Sequence, residues 1–301
     1  MQSISRRAAL RTGVLGGIGL AAAGLSPSRA APAQPAKYPP LKGRINHSVA
    51  YWPFRRVMTL DEFCVAMKQI GYSAISHCRP YQWPTLKAHG LDSSLSACDG
   101  PMDFENGLVT ASVHDELVAR YLKAIDLAAD AGYRNLLIAG GNRRGMDVDE
   151  GLTNAENCLK RILGHAEKRG VVLAMAMGNT RQHPDYFFDS AALGVVLCKR
   201  VGSPSFGLIY DIYHRQMMEG NIRGTIRKYH EYFVYYHTGG VPGRNEPGDP
   251  DQELNYPAIC RAIADSGYKG YLAQEYFPKK RPLTKDIITA SLRESLHVCD
   301  V

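Results

Sequence analysis

Beyond residue 42 the chain alternates between short apolar runs and longer amphipathic stretches. The short runs predict strands at Arg44–Ala50, Ser73–His77, Ser93–Ala97, Asn135–Ala139, Val171–Ala176, Phe206–Asp211, Tyr232–His237 and Gly270–Glu275. Between them apolar positions recur near a helical period. Asp115–Ala131 is the clearest case, through Leu117, Tyr121, Ala124, Leu127 and Ala128, and Thr153–Lys168 follows through Leu159, Ile162, Leu163 and Ala166. Gly71, Gly132, Gly170 and Gly267 each stand between a helix and the next strand, where a left-handed stop is expected. Eight βα units over residues 43–301 predict a single-domain α/β fold, the (β/α)8 TIM barrel, with functional groups at the C-terminal strand ends. An open doubly wound sheet is the weaker reading, because no G-x-G-x-x-G turn joins a strand to a helix.

The first thirty residues have a different character. Ser5-Arg6-Arg7-Ala8-Ala9-Leu10 precedes the uncharged stretch Thr12–Leu25, and small residues surround Ser28-Arg29-Ala30. A basic start, a short apolar run and a small-residue site make an export signal, and the arginine pair resembles a twin-arginine one. Residues 1–30 are therefore expected to be a leader read by the twin-arginine machinery, which implies a periplasmic or exported protein. The run is too short and too rich in Gly and Ala for a permanent membrane span. A tether with four prolines in Ala31–Pro40 leads to the barrel.

The leader also accounts for much of the charge. It carries four arginines and no acid, so the formal net charge of +7 drops to +3 for the remainder. That remainder holds no long Lys/Arg run, which removes the electrostatic case for nucleic acid. The seven cysteines fall one to a segment with no C-x-x-C spacing, so a zinc knuckle or redox motif is not expected. An oxidising destination permits a disulfide without selecting a pair. The composition leaves the oligomeric state open.

Candidate chemistry lies at the ends of the last three strands. Strand six is apolar until Asp211, strand seven reaches His237, and strand eight ends in Glu275. Their spacings of 26 and 38 residues are close to one βα unit each, so neighbouring strands would aim all three at one mouth. Two carboxylates and an imidazole suit a divalent ion such as Mn²⁺, Mg²⁺ or Co²⁺ with open positions. Taken singly, each has a plainer role. Asp211 would cap the helix after it, His237 would be a hydrogen-bonded rim histidine, and Glu275 would pair with Lys279 or Arg281.

The motifs Tyr210-Asp211-Ile212-Tyr213-His214, His237-Thr-Gly-Gly-Val-Pro-Gly-Arg244-Asn-Glu246, Glu253-Leu-Asn-Tyr-Pro257 and Gly267-Tyr-Lys-Gly-Tyr-x-x-Gln-Glu275 resemble the hydroxypyruvate isomerase family of xylose isomerase-like barrels. Gly140-Gly-Asn-Arg-Arg-Gly145 and His183-Pro-Asp-Tyr186 fit the same pattern. The resemblance runs from about Gly43 to Val301. It implies a divalent metal on Asp211, His237 and Glu275, and isomerisation or epimerisation of a small sugar or hydroxy-acid through an enediol. Glu275 would move the proton, and His214 and Arg244 would contact the substrate. Asn142 and Arg143 follow strand four at the same mouth. Tyr51, Trp52 and Phe54, just after strand one, would stack on a sugar ring or pack the rim.

Two positions depart from the family pattern. Ala176 closes strand five where an acid is expected, and Ser76 stands on strand two where another is usual. Proton shuttling between adjacent carbons ordinarily uses a base and an acid. His77, Asp103 or a metal-activated water are the substitutes within the chain's reach. The competing reading is an exported, non-catalytic carbohydrate-binding pseudoenzyme. An apurinic endonuclease is excluded on this reading, for want of a multi-metal His/Glu cluster and a basic groove.

Overall fold

The computed structural model describes residues 38–100 and 103–301. The expected leader and residues 31–37 of the tether lie outside the described residues. Residues 40–301 form one compact unit.

Eight parallel strands close into a barrel in sequence order: β1 (Asn46–Ala50), β2 (Ala74–Cys78), β3 (Asp92–Ser96), β4 (Asn135–Ala139), β5 (Val172–Ala176), β6 (Phe206–Asp211), β7 (Phe233–Thr238) and β8 (Tyr271–Gln274). β8 pairs back onto β1, which completes the predicted TIM barrel. Each boundary lies within two residues of the hydrophobic pattern.

Ten α-helices fill the crossovers, α1 (Leu60–Ile70), α2 (Trp83–Ala88), α3 (His114–Ala131), α4 (Val148–Lys160), α5 (Leu163–Arg169), α6 (Ala191–Val201), α7 (Ile212–Met218), α8 (Ile222–Tyr229), α9 (Tyr256–Asp265) and α10 (Lys285–Cys299). Local chemistry sets their ends. Thr59 and Glu62 form a capping box at the start of α1, and Gly71, Gly132 and Gly170 stop α1, α3 and α5 with φ of 116°, 81° and 69°. The stretch predicted as one helix over Thr153–Lys168 is two. The N–H groups of Arg161 and Ile162 bond back only three residues, tightening the turn, and Ile162 is fully buried at the break. Among the described residues no helix is long and apolar enough to cross a membrane.

Strand side chains alternate between two cores, as the two-residue period requires. Val49, Ile75, Ile138, Leu173, Leu208 and Leu272 belong to the large apolar cluster that also takes in helix residues such as Phe63, Leu117, Leu159 and Leu292. A separate small cluster is formed by Leu95, Leu137, Ala174, Ile209, Tyr235 and Ala273. The Tyr235 hydroxyl on β7 lies 3.0 Å from Ser48 Oγ and 2.7 Å from Ser94 Oγ, and donates to Ser76 Oγ at 3.0 Å. One phenol thus ties β7 to β1, β2 and β3.

Candidate active site

The strand ends surround a cavity of 480 Å³ whose wall includes Trp52, Ala176, Asp211, His214, His237, Arg244 and Glu275. Asp211 and His237 are direct register partners on β6 and β7, and His237 pairs with Ala273, two residues before Glu275. Parity therefore turns all three side chains toward the same mouth.

Asp211 fills both roles expected of it. Its Oδ1 accepts the His214 N–H at 3.1 Å, capping α7, while Oδ2 lies 3.0 Å from Arg244 Nη2, 3.5 Å from His214 Nε2 and 3.9 Å from His237 Nδ1. Glu275 Oε1 accepts the Trp52 indole N–H at 2.8 Å, and Oε2 accepts from Arg244 Nη2 at 2.5 Å and lies 3.5 Å from His237 Nδ1. Burial alone would raise the Glu275 carboxyl. The charges of His237, Arg244 and His77 and the Trp52 hydrogen bond outweigh burial and hold it well below the ordinary carboxylate range.

Arg244 is the counter-ion shared by both acids. It sits in the loop after β7 with φ of 52°, its guanidinium 5.1 Å from the Tyr213 ring centroid. Burial works against its charge, but Glu275 and Asp211 overcome that and raise its pKa. Glu246 and Asp249, acids of the same loop, bond to Lys279 instead.

His214 is held from behind. Asn179 Oδ1 accepts the Gln182 N–H at 2.8 Å, which fixes the amide so that Asn179 Nδ2 donates to His214 Nδ1 at 2.6 Å. An accepting Nδ1 leaves the proton on Nε2, the nitrogen that faces Asp211. Burial lowers the His214 pKa to about 4, so the ring is neutral at physiological pH.

His77 enters by a backbone irregularity. The β2–β3 register shifts on either side of Ser76, and His77 has φ of 61°, a conformation rare outside glycine. Ser76 consequently bonds to Tyr235 in the barrel interior, while His77 lines the cavity, its ring stacked 5.0 Å from that of His237. Its Nε2 is 3.6 Å from Glu275 Oε1, and burial lowers its pKa to about 4.

Other expected residues fall elsewhere. Asn142 is not part of the cavity wall; it forms a backbone bridge with Tyr186. Arg143 lies over the Phe187 ring and Arg144 bonds to Thr110 and Asn106, so neither is aimed at the acids. Asp103 is spent on the backbone N–H groups of Glu105 and Asn106. Phe54 is fully buried against Phe63 and Tyr276, a core residue rather than a sugar platform. Trp52 and Tyr51 do line the cavity, as does Ala176 in the place of the expected acid.

The donor set suits a divalent ion. Donor atoms of His77, His237 and Glu275 lie within 4.8 Å of one another, with Asp211 beside them, and His237 Nε2 is buried without a hydrogen-bond partner among the described residues.

A closed parallel barrel with convergent acids, imidazoles and an arginine at its C-terminal mouth defines a TIM-barrel site of the kind that handles small polar substrates. The profile of the xylose isomerase-like TIM barrel matches residues 66–295, and the chain belongs to that family, in its hydroxypyruvate isomerase-like branch. It is 32% identical over 233 residues to the 2-oxo-tetronate isomerase of Cupriavidus necator, covering 73% of this chain and 87% of that one. A human relative carried under the hydroxypyruvate isomerase name is 32% identical over 165 residues, 54% of this chain, and the match spans 59% of that relative's length. Among solved structures, the family 2 AP endonuclease of Brucella melitensis superposes with a TM-score of 0.73 at 25% identity, over 82% of this chain and 97% of that one. The D-psicose 3-epimerase of Clostridium cellulolyticum superposes with a TM-score of 0.71 at 15% identity, over 85% of this chain and 98% of that one, a likeness of fold.

Proposed function

We propose that the protein is a divalent-metal-dependent isomerase of a small hydroxy-carbonyl compound, a free sugar or sugar acid, working through an enediolate. On the pattern of its leader, it acts outside the cytoplasm. The observation that carries this reading is the convergence of Asp211, His237 and Glu275 with Arg244 on one cavity. The names of the relatives support the reaction class.

His237 and Glu275, with Asp211 or His77 as third donor, would hold the ion, which supplies Lewis-acid polarisation of the substrate carbonyl when bound. Glu275, ionised at neutral pH, removes the proton from the carbon beside the carbonyl. Arg244 and the His214 Nε2–H hold the substrate oxygens in the plane of the enediolate. With Ala176 in place of the second acid, Glu275 also returns the proton, to the neighbouring carbon on the same face, while the substrate's hydroxyl proton passes to the former carbonyl oxygen, so that one C–H and one O–H bond break and one of each forms. A single carboxylate can carry out such a 1,2-transfer. Inversion at one carbon needs a second group on the opposite face, so the site favours isomerisation over epimerisation.

The test is isomerisation of hydroxypyruvate, 2-oxo-tetronate and free ketoses in D₂O with Mn²⁺, followed by NMR. Product carrying some solvent deuterium and some transferred protium supports one-base isomerisation. Binding of a sugar with neither turnover nor exchange would instead favour the non-catalytic carbohydrate-binding reading, to which Ala176 also lends weight.

A further inference from the structure

The proposed reaction needs only the floor of the cavity, yet the cavity extends well beyond it. A volume of 480 Å³ lies in the range that takes ligands much larger than a three-carbon acid. Two large side chains on the wall, Tyr81 and Phe104, are also conspicuously exposed for their type, at 71% and 38%. Neither is needed at the acids, and the Tyr81 hydroxyl makes no hydrogen bond among the described residues.

Both rings are presented on hydrogen-bonded turns. Tyr81 sits in the single turn Pro80–Gln82, where Pro80 fixes the first position, Gln82 Oε1 accepts the Arg79 N–H at 2.9 Å and the Gln82 N–H returns to the Arg79 carbonyl. Phe104 is held by the Asp103 carboxylate, which accepts the N–H groups of Glu105 and Asn106 at 3.0 Å, and its ring lies 6.3 Å from that of His183. Exposed aromatic rings on such turns lose little entropy when a flat apolar face settles on them. Arg55 and Arg79 line the same cavity without an acidic partner among the described residues, leaving donors for hydroxyl oxygens.

Resting on the isomerase reading, we propose that the substrate is an extended one: a hydroxy-carbonyl sugar unit at Glu275 joined to a second pyranose ring that stacks on Tyr81 and Phe104. The natural ligand class is then a disaccharide or glycoside rather than a three- or four-carbon acid.

The experiment titrates the protein by calorimetry and by tryptophan fluorescence with fructose and with maltulose, the same ketose bearing a second glucose ring. Wild type should bind maltulose at least tenfold more tightly than fructose. Stacking on one aromatic ring is worth roughly two- to tenfold, so Tyr81→Ala and Phe104→Ala should each reduce the maltulose-to-fructose affinity ratio by that factor. Equal affinity for the two sugars, or a preference that survives both substitutions, overturns the inference while leaving the isomerase reading intact. Failure of fructose, hydroxypyruvate and maltulose alike to bind overturns both.

Discussion

Arg244→Met is the sharpest probe of the site's electrostatics. In the native protein one guanidinium nitrogen lies 3.0 Å from Asp211 and 2.5 Å from Glu275, with side-chain exposures of 14%, 5% and 7%. At an effective dielectric constant near 20, each contact represents about 6 kcal/mol of attraction, offset by the desolvation of all three charges. Removing the guanidinium while leaving both acids buried should cost about 3–5 kcal/mol, the range for breaking one partner out of a buried pair. At roughly 2–4 °C per kcal/mol, melting should fall by about 10 °C.

The deficit should also depend on pH and on metal. Without Arg244 the upward push of burial on Glu275 loses its main opponent among permanent charges, so the carboxyl protonates at a higher pH than in wild type. Wild type keeps the stabilisation from its depressed carboxyl above the ordinary value of 4.5 and loses it as pH falls through the lower folded value. The gap between the two proteins should therefore be widest at neutral pH and narrow in acid. Mn²⁺ at about a hundred times its dissociation constant for wild type adds about 2.7 kcal/mol to wild type. At that same concentration it should stabilise the variant more, because in wild type the arginine already neutralises the same acids. Scanning calorimetry with and without Mn²⁺ reads all of this. A variant that melts with wild type, or equal metal stabilisation of both, would refute the assignment of Arg244 as the shared counter-ion.

Three further outcomes follow from the geometry. Glu275→Gln keeps the Trp52 and Arg244 contacts sterically but should lower turnover and deuterium exchange by about 10²–10⁴-fold, the usual worth of a general base, as read by NMR; undiminished exchange would remove Glu275 from the chemistry. Ala176→Glu places a third carboxylate on the cavity wall and should tighten Mn²⁺ binding measured by calorimetry; unchanged affinity would mean residue 176 does not reach the ion. His47, buried on β1 with its Nε2 3.6 Å from Asp300, has its pKa lowered by burial. A depressed histidine stabilises the fold fully above 6.5, and that stability drains away as pH falls below it. His47→Gln should flatten the slope of unfolding free energy against pH in this window by up to about 1.4 kcal/mol per unit; an unaltered slope would mean the ring is already charged in the fold.

The barrel was legible because each strand carries its own apolar run between turn residues, and parity then fixes which end residues face inward. Asp211, His237 and Glu275 could be read from spacing for that reason. His77 was readable only as one of several substitute bases, because the alternation puts Ser76 inward. A register shift and a left-handed backbone at one residue rotate the imidazole into the cavity instead. Asn179 and Gln182 escaped notice for a different reason. Their role is to orient His214, which follows in sequence but meets them only in three dimensions. Of the two roles open to Phe54, stacking and packing, the structure takes the second: Tyr51 and Trp52 reach the cavity, while Phe63 and Tyr276 draw Phe54 into the core.

The Tyr235 hydroxyl and its three serines give the site a shared foundation. Tyr235 is two residues from His237, Ser76 adjoins His77, and the network joins β7 across the barrel to three other strands. Both imidazoles therefore stand on one buried hub whose residues do not line the cavity. Damage there would surface as a functional defect, so a survey of loss-of-activity variants would score Ser48, Ser76, Ser94 and Tyr235 alongside the residues that meet the ligand. Conversely, a relative that replaced the hub with apolar side chains would be free to re-aim both histidines together, changing what its mouth accepts without altering a single residue on the cavity wall.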